Sequence, residues 1–126
     1  MTKNMPLVKT GSEKILMERL KPFIYRKSAR QRIIIYLISQ DYSFDDLANM
    51  TVSDLKKIKL PEENDLFQSQ NQLLSTLSDN ASLFTYPGGR KMCQSDFFRI
   101  LTTACTNVLG KSITVDEFKI YLNNNT

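Results

Sequence analysis

Residues 30–55 read RQRIIIYLISQDYSFDDLANMTVSDL and contain the strongest structural signal in the chain. The six consecutive apolar residues Ile33–Ile38 cannot all face solvent, so we predict a helix over residues 28–40 that is buried on most sides. Two boxes, Ser43–Asp46 and Thr51–Asp54, follow this run. In such a box the first and fourth side chains each satisfy a backbone N–H that the helix start leaves unpaired, so each box predicts a further short helix.

The chain before this stretch contains a second helical pattern. Apolar residues recur at helical spacing after Ser12, and we predict that a first helix starts there. Pro22 is expected to end or kink that helix near Lys21, because proline lacks a backbone N–H and crowds the preceding turn. Residues 1–11 are predicted to form a flexible leader, and residues 12–126 a single helical domain.

Three further helices are predicted in the second half of the chain. Pro61 fits the first turn of one helix, since a missing N–H costs nothing there. Ser95 is expected to cap the next helix, which Gly110 ends, and the box Thr114–Glu117 begins the last one. Residues 78–92 form the clearest break between helices, with a turn at Pro-Gly-Gly. The whole pattern predicts an all-α, compact single domain of about six or seven short helices.

The composition argues against several kinds of site. The chain has 126 residues, of which 41% are hydrophobic, and it has no histidine, the commonest general base and metal ligand. The two cysteines, Cys93 and Cys105, form no disulfide framework and fit a reducing, cytoplasmic location. The residues before Thr114 contain none of the alternating carboxylates that a calcium-binding loop requires. We therefore predict no cofactor, no metal site and, since no apolar run is long enough to span a bilayer, no membrane partner.

Basic residues are grouped rather than evenly spread. The net charge is +4 and the pI is about 9.1, a balance that allows nucleic-acid binding without requiring it. From Lys21 to Arg32 the chain has five basic residues and no acidic one. Such a group could neutralise phosphates, although a solvated surface is the usual fate of basic side chains. The residues that we consider for phosphate contacts are Arg26, Lys27, Arg30, Arg90 and Lys91.

The predicted elements follow one another in a distinctive order. The buried helix, its turn and the next segment read IIIYLISQ, DYSFDDL and MTVSDL, and the later loop, helix and box read SLFTYPGG, SDFFRILTTACTNVLG and SITVDEFKIYL. This order resembles the catalytic domain of tyrosine recombinases, the phage-integrase family. In that family a buried helix leads into a Gly-Leu-Arg-x-Ser-Glu-Leu turn, and an Ile-Thr-x-His-x-x-Arg box comes later. The resemblance spans most of the chain in pattern and is weak in identity.

The residues that perform catalysis in that family are replaced here. The family's first catalytic arginine falls on Ser43, its box histidine on Asp116 and its second arginine on Lys119. The β-hairpin with the catalytic lysine is reduced to KIKLPEEN. The chain ends before the region of the nucleophilic tyrosine, and Tyr121 lies too close to the box for that role. Phosphoryl transfer needs positive charge held at the phosphate oxygens, so the resemblance implies a protein without catalytic residues that is not an enzyme.

Two functions are consistent with these features. The resemblance implies a non-catalytic DNA-binding or DNA-associated accessory protein, such as a phage or mobile element would use. Lys119 then joins the phosphate-contact residues, because the family aims an arginine at the phosphate there, and we expect the whole set to share one side. The alternative is a protein–protein interaction module (an inhibitor, adaptor or self-assembling protein) that binds another protein or a second copy of itself. Salt separates the two, since phosphate contacts weaken steeply with salt and an apolar interface does not.

Overall fold

Helices make up most of the structure, a computed structural model that describes residues 6–75, 77–86 and 88–123. Within these residues there are seven α-helices, the short 3₁₀ helix Glu63–Asp65 and no β-strand beyond isolated bridges. The α-helices are α1 Pro6–Ile24, α2 Ala29–Ser39, α3 Phe44–Ala48, α4 Val52–Lys56, α5 Leu66–Leu74, α6 Gln94–Leu109 and α7 Val115–Asn123. The prediction of a compact, mainly helical fold is confirmed. None of the helices in the described part combines the length and the hydropathy needed to span a membrane.

Helix α2 is the centre of the core. Every residue of Ile33–Ser39 is buried, and α2 packs against α1, α5, α6 and α7. Ser28 Oγ accepts a hydrogen bond from the Gln31 backbone N–H at 3.2 Å and so caps the start of the helix. The prediction that residues 28–40 contain the most buried helix is confirmed.

Both boxes predicted after α2 are present. Ser43 Oγ accepts from the Asp46 backbone N–H, and the Ser43 N–H donates to the Asp46 carboxylate, each at 2.9 Å. Thr51 and Asp54 make the same reciprocal pair at 2.9 and 3.2 Å. These bonds fix the starts of α3 and α4. Leu47 of α3 is fully buried and attaches this short helix to the core.

Helix α1 differs from the prediction at both ends. It begins at Pro6 rather than at Ser12, and it continues through Pro22 for two further residues. Phe23 is fully buried after the proline. Burial of such a side chain stabilises the fold by ~1.5–3 kcal/mol. This gain offsets the loss of the backbone hydrogen bond that proline cannot donate. Of the predicted leader, residues 1–5 lie outside the described residues.

Helix α5 begins later than predicted. Pro61 is expected in its first turn, but the helix starts at Leu66, because Asn64 and Asp65 adopt left-handed φ angles of 59° and 60°. A left-handed residue interrupts the hydrogen bonds of an α-helix. The Asn64 side-chain amide donates to the Met17 carbonyl at 2.8 Å, and this tertiary contact stabilises the turn before α5.

The break predicted over residues 78–92 is present and leads into α6. Gly88–Gly89 have φ angles of 99° and 93°, a turn geometry that glycine allows, while Pro87 lies outside the described residues. Helix α6 begins one residue before Ser95, so the predicted cap lies inside the first turn instead. Gly110, with φ of 78°, ends α6 as predicted.

Candidate nucleic-acid interface

A buried carboxylate, Asp96, organises the surface at the start of α6. Only 3% of Asp96 is exposed. Its oxygens accept hydrogen bonds from the Cys93 backbone N–H, the Tyr86 hydroxyl and an Arg99 guanidinium N–H, each at 2.8 Å. Arg90 Nη1 lies 3.6 Å from the same carboxylate. The hydrogen bond from the Cys93 N–H, and then that from Tyr86, hold the pKa of Asp96 well below its ordinary value, so this carboxylate is charged at neutral pH.

The ring of Tyr86 is contacted by arginines from two distant parts of the chain. Arg90 Cζ lies 4.2 Å from the ring centroid and Arg30 Cζ lies 5.7 Å from it, both within the range of a cation–π interaction. Arg30, in the first turn of α2, also donates from Nη1 to the Thr85 carbonyl. Two guanidinium groups that repel each other are thereby held at one aromatic ring. We define the Tyr86 cluster as Lys27, Arg30, Tyr86, Arg90, Asp96 and Arg99.

A pocket of about 230 Å³ lies beside these residues, between the start of α2 and the first half of α6. Its polar lining residues are Lys27, Arg30, Gln31, Tyr86, Arg99 and Thr103. Met92 and Ile100 complete the lining with apolar surface. Arg30 Nε is buried and has no hydrogen-bond partner among the residues that the structure describes. We call this cavity the Arg30 pocket; its charged lining groups are all cationic.

Three of the six predicted phosphate-contact residues are members of the Tyr86 cluster, and two more, Arg26 and Lys91, adjoin its members along the chain. The three members are Lys27, Arg30 and Arg90. Arg26 precedes Lys27 with a left-handed φ of 64°, and its guanidinium lies 5.4 Å from the ring centroid of Tyr25. Lys91 is exposed and forms an isolated bridge with Thr85, whose carbonyl accepts from Arg30. A role of these residues in DNA binding stays a prediction.

Lys119 lies elsewhere. Its Nζ is 2.9 Å from Asp41 Oδ1, just beyond the C-terminal end of α2. Arg30 is in the first turn of that same helix, and 11 helical residues span about 16 Å. The expected grouping therefore does not extend to Lys119, because the sixth candidate sits at the opposite end of α2 from the Tyr86 cluster.

Tyr86, Asp96 and Arg99 were not predicted as site residues from the sequence, although all three are central to the cluster. Two local signals could have drawn attention to them. Asp96 and Arg99 are three residues apart on one helix, a spacing at which opposite charges meet. Tyr86 and Arg90 flank the Gly-Gly turn, so a tight turn brings them together. No local sequence pattern predicts that Arg30 lies near the Tyr86 ring, because this contact depends on how α2 packs in the fold.

A second, acidic surface lies on α3 and α4. A pocket of about 470 Å³ is lined there by Asp45, Asp46 and Asp54 together with Tyr42 and Asn49. Hydrogen bonds from the Thr51 backbone N–H and then from its hydroxyl lower the pKa of Asp54. Asp46 and Asp54 both cap helices, as predicted, so capping explains why these carboxylates are present.

No family model, curated protein or solved structure matches the chain. The function is therefore inferred from its residues, and the resemblance to tyrosine recombinases stays a prediction. The most informative feature is the Tyr86 cluster, in which three arginines contact one tyrosine or one carboxylate and Lys27 lines the adjoining pocket.

Proposed function

We propose that the protein is a non-catalytic DNA-binding accessory protein that holds phosphate groups with the Tyr86 cluster. The observation that supports this most directly is the convergence of the Arg30, Arg90 and Arg99 guanidinium groups around Tyr86 and Asp96. Arginine presents a rigid fork of donors that matches two oxygens of a phosphate. A group of such forks on one surface is a phosphate-binding arrangement.

Asp96 offsets only part of the positive charge of the cluster, because the cluster has one carboxylate and four basic side chains. Asp96 is buried, and its oxygens are occupied by Cys93, Tyr86 and Arg99. The Asp96 oxygens therefore point at these donors and fix their directions, and they do not face solvent. Arg90 and Arg99 each keep 65% of their side chains exposed, so both remain accessible to a ligand.

The non-catalytic part of the proposal rests on the positions that match the recombinase arginines. Ser43 Oγ accepts the Asp46 backbone N–H and acts as a helix cap. Lys119 is paired with Asp41, and a lysine does not reproduce the bidentate contact of a guanidinium. Neither position offers the preorganised charge that phosphoryl transfer requires.

The alternative, a protein-interaction module, has less support. Six large hydrophobic side chains are exposed in the described part of the chain, on four helices and in the turn after α1: Ile15, Tyr25, Phe67, Phe98, Ile120 and Tyr121. Single exposed apolar residues are normal on a soluble domain, whereas an interaction site needs a contiguous patch.

Fluorescence anisotropy titrations with labelled duplex and single-stranded DNA test the proposal. Affinity should fall steeply between about 50 and 200 mM salt. The double variant Lys27→Gln/Arg90→Gln should bind more weakly, and its slope of log affinity against log salt should shrink by about one for each lost phosphate contact.

The matched control removes two positive charges elsewhere. Lys57→Gln/Lys59→Gln changes exposed lysines beside α5, away from the Tyr86 cluster, and should leave the slope nearly unchanged. An equal loss in both double variants would reject the Tyr86 cluster as the site. Absence of binding to any DNA at tens of micromolar, within the range of about 10⁻⁴ to 10⁻⁶ M usual for non-specific binding, would reject the function itself.

A further inference from the structure

We infer that the Arg30 pocket binds a terminal phosphomonoester, the phosphate at the end of a nucleic-acid strand, in preference to phosphodiesters within a strand. This inference rests on the proposed DNA-binding function and deepens it. Its basis is a small concave cavity lined by cations at the start of α2.

The size of the pocket favours one small anionic group. Its volume of about 230 Å³ is below the range of about 300–1,000 Å³ typical of pockets for larger ligands. Arg30 comes from α2 and Arg99 from α6, so their guanidinium groups reach a ligand from two walls. A strand end can enter such a cavity, whereas a phosphodiester within a duplex has a sugar on both sides and stays at the surface.

The charge of the lining favours a phosphate with two negative charges. Arg99 is paired with Asp96. Lys27 and Arg30 form no ion pair with a carboxylate among the described residues. A phosphomonoester has a charge of about −1.5 to −2 at pH 7 because its second pKa is near 6, whereas a phosphodiester has one. Two uncompensated cations therefore match the monoester better.

The hydrogen-bonding groups of the pocket match the same ligand. Arg30 uses one Nη1 N–H for the Thr85 carbonyl, and a guanidinium has further N–H donors that a ligand can accept. Gln31 and Thr103 add side-chain N–H and O–H donors to the lining. Met92 and Ile100 offer apolar contact to the carbons of the adjoining sugar.

The test compares three single-stranded oligonucleotides of one sequence: one with a 5′-phosphate, one with a 3′-phosphate and one with hydroxyl groups at both ends. The full chain should bind at least one phosphorylated oligonucleotide about tenfold more tightly than the hydroxyl one, a difference of about 1.4 kcal/mol. Which phosphate is preferred identifies the end that enters the pocket. The preference should shrink as the pH falls from about 7.5 to about 5, since the monoester then loses one charge.

Equal affinity for all three oligonucleotides would overturn the inference and leave the proposed function standing. Absence of binding to all three would also overturn the inference, and it would reject the proposed function if the duplex of the same sequence is not bound either. These two failures are therefore distinguishable within one experiment.

Two variants assign the preference to the pocket. Lys27→Gln removes a cation, and Thr103→Val removes a donor without changing charge. Each should reduce the phosphorylated-to-hydroxyl affinity ratio by several-fold, while Lys57→Gln should leave the ratio unchanged. Thermal melting by circular dichroism verifies that each variant is folded, and Thr103 is exposed, so its replacement should not disturb the core. A ratio equal to that of the wild type in both variants would overturn the assignment.

Discussion

The Tyr86 hydroxyl donates a hydrogen bond to Asp96 Oδ1 at 2.8 Å, and this contact joins the loop before α6 to the first turn of that helix. The same carboxylate accepts the Cys93 N–H at the helix start and an N–H from Arg99. One buried group thus fixes both the cap of α6 and the ring that Arg30 and Arg90 contact. Asp96 is therefore expected to affect stability and phosphate binding together.

Asp96→Asn should lower the melting temperature at pH 7 by several degrees. The variant loses the negative charge, and its amide turns an N–H toward one of the groups that now donate to Asp96. Because the folded pKa of Asp96 is lowered, its contribution to stability is present above the unfolded pKa of about 3.9 and is lost as the pH falls below it. The difference between wild type and variant should therefore be constant from pH 7 to 5 and shrink below about pH 4.

Asp116→Asn, at an exposed position in the first turn of α7, is the matched control and should shift the melting temperature far less. Thermal melts at four pH values measure both variants. A difference for Asp96→Asn that grows on acidification would contradict the role assigned to this carboxylate.

Gln70→Met should reduce the free energy of unfolding by about 1–3 kcal/mol. Gln70 is 5% exposed, and its amide donates to the carbonyls of Leu55 and Ile58 at 3.0 and 2.8 Å. Methionine fills a similar volume but leaves the Ile58 carbonyl without this donor; the Leu55 carbonyl still accepts the Ile58 N–H. Gln68→Met, exposed on the same helix, should change stability by less than about 0.5 kcal/mol. Urea denaturation of both variants gives the comparison, and equal losses would reject the role of Gln70.

Ile34→Asp should prevent stable folding. Ile34 is fully buried in α2, and an unpaired carboxylate in an apolar site costs several kcal/mol, a large part of the usual stability of about 5–15 kcal/mol. Ile120→Asp, at a position that is 64% exposed on α7, should fold like the wild type. Circular dichroism and melting cooperativity test this, and a cooperative melt for Ile34→Asp would show that α2 is not the centre of the core.

Local sequence signals were sufficient to predict α2 and the helix starts that follow it. An apolar run and the boxes at Ser43 and Thr51 depend on neighbours within four residues, and the structure contains them as expected. The start of α5 was predicted wrongly, because Asn64 adopts a left-handed conformation that a contact with Met17 stabilises. That contact joins residues 47 positions apart, which no local pattern reports.

The candidate site was predictable only in part for the same reason. Arg30 and Arg90 stand out in the sequence as basic residues, but their approach depends on Tyr86, which packs where α2 meets the loop before α6. Asp96 was missed because its neighbours in sequence do not indicate that it is buried. Lys119 was grouped with them through the resemblance alone, and the structure pairs it with Asp41 instead.

Helix α2 ends in a Schellman motif with an unusual residue at its left-handed position. The Asp41 N–H donates to the Ile38 carbonyl and the Tyr42 N–H to the Leu37 carbonyl, each at 3.1 Å. Glycine is usual at this position, but Asp41 occupies it with φ of 74°. Gly110 has the equivalent left-handed geometry, with φ of 78°, at the end of α6.

Asp41→Gly should therefore increase the free energy of unfolding by about 0.5–1 kcal/mol. Relief of the left-handed conformation is worth ~1–2 kcal/mol, while loss of the pair with Lys119 costs up to about 1 kcal/mol, because the Asp41 side chain is 83% exposed. The gain should rise with salt, which weakens that pair in the wild type.

Asp41→Asn removes the charge but keeps a side chain, so it separates the two effects and should be less stable than Asp41→Gly. Gly110→Ala is the reverse change and should lose about 1 kcal/mol from backbone strain alone, since an added Cβ meets no atom within 4 Å. Urea denaturation at low and high salt measures all three variants, and an Asp41→Gly variant less stable than Asp41→Asn would show that the left-handed geometry is not a source of strain.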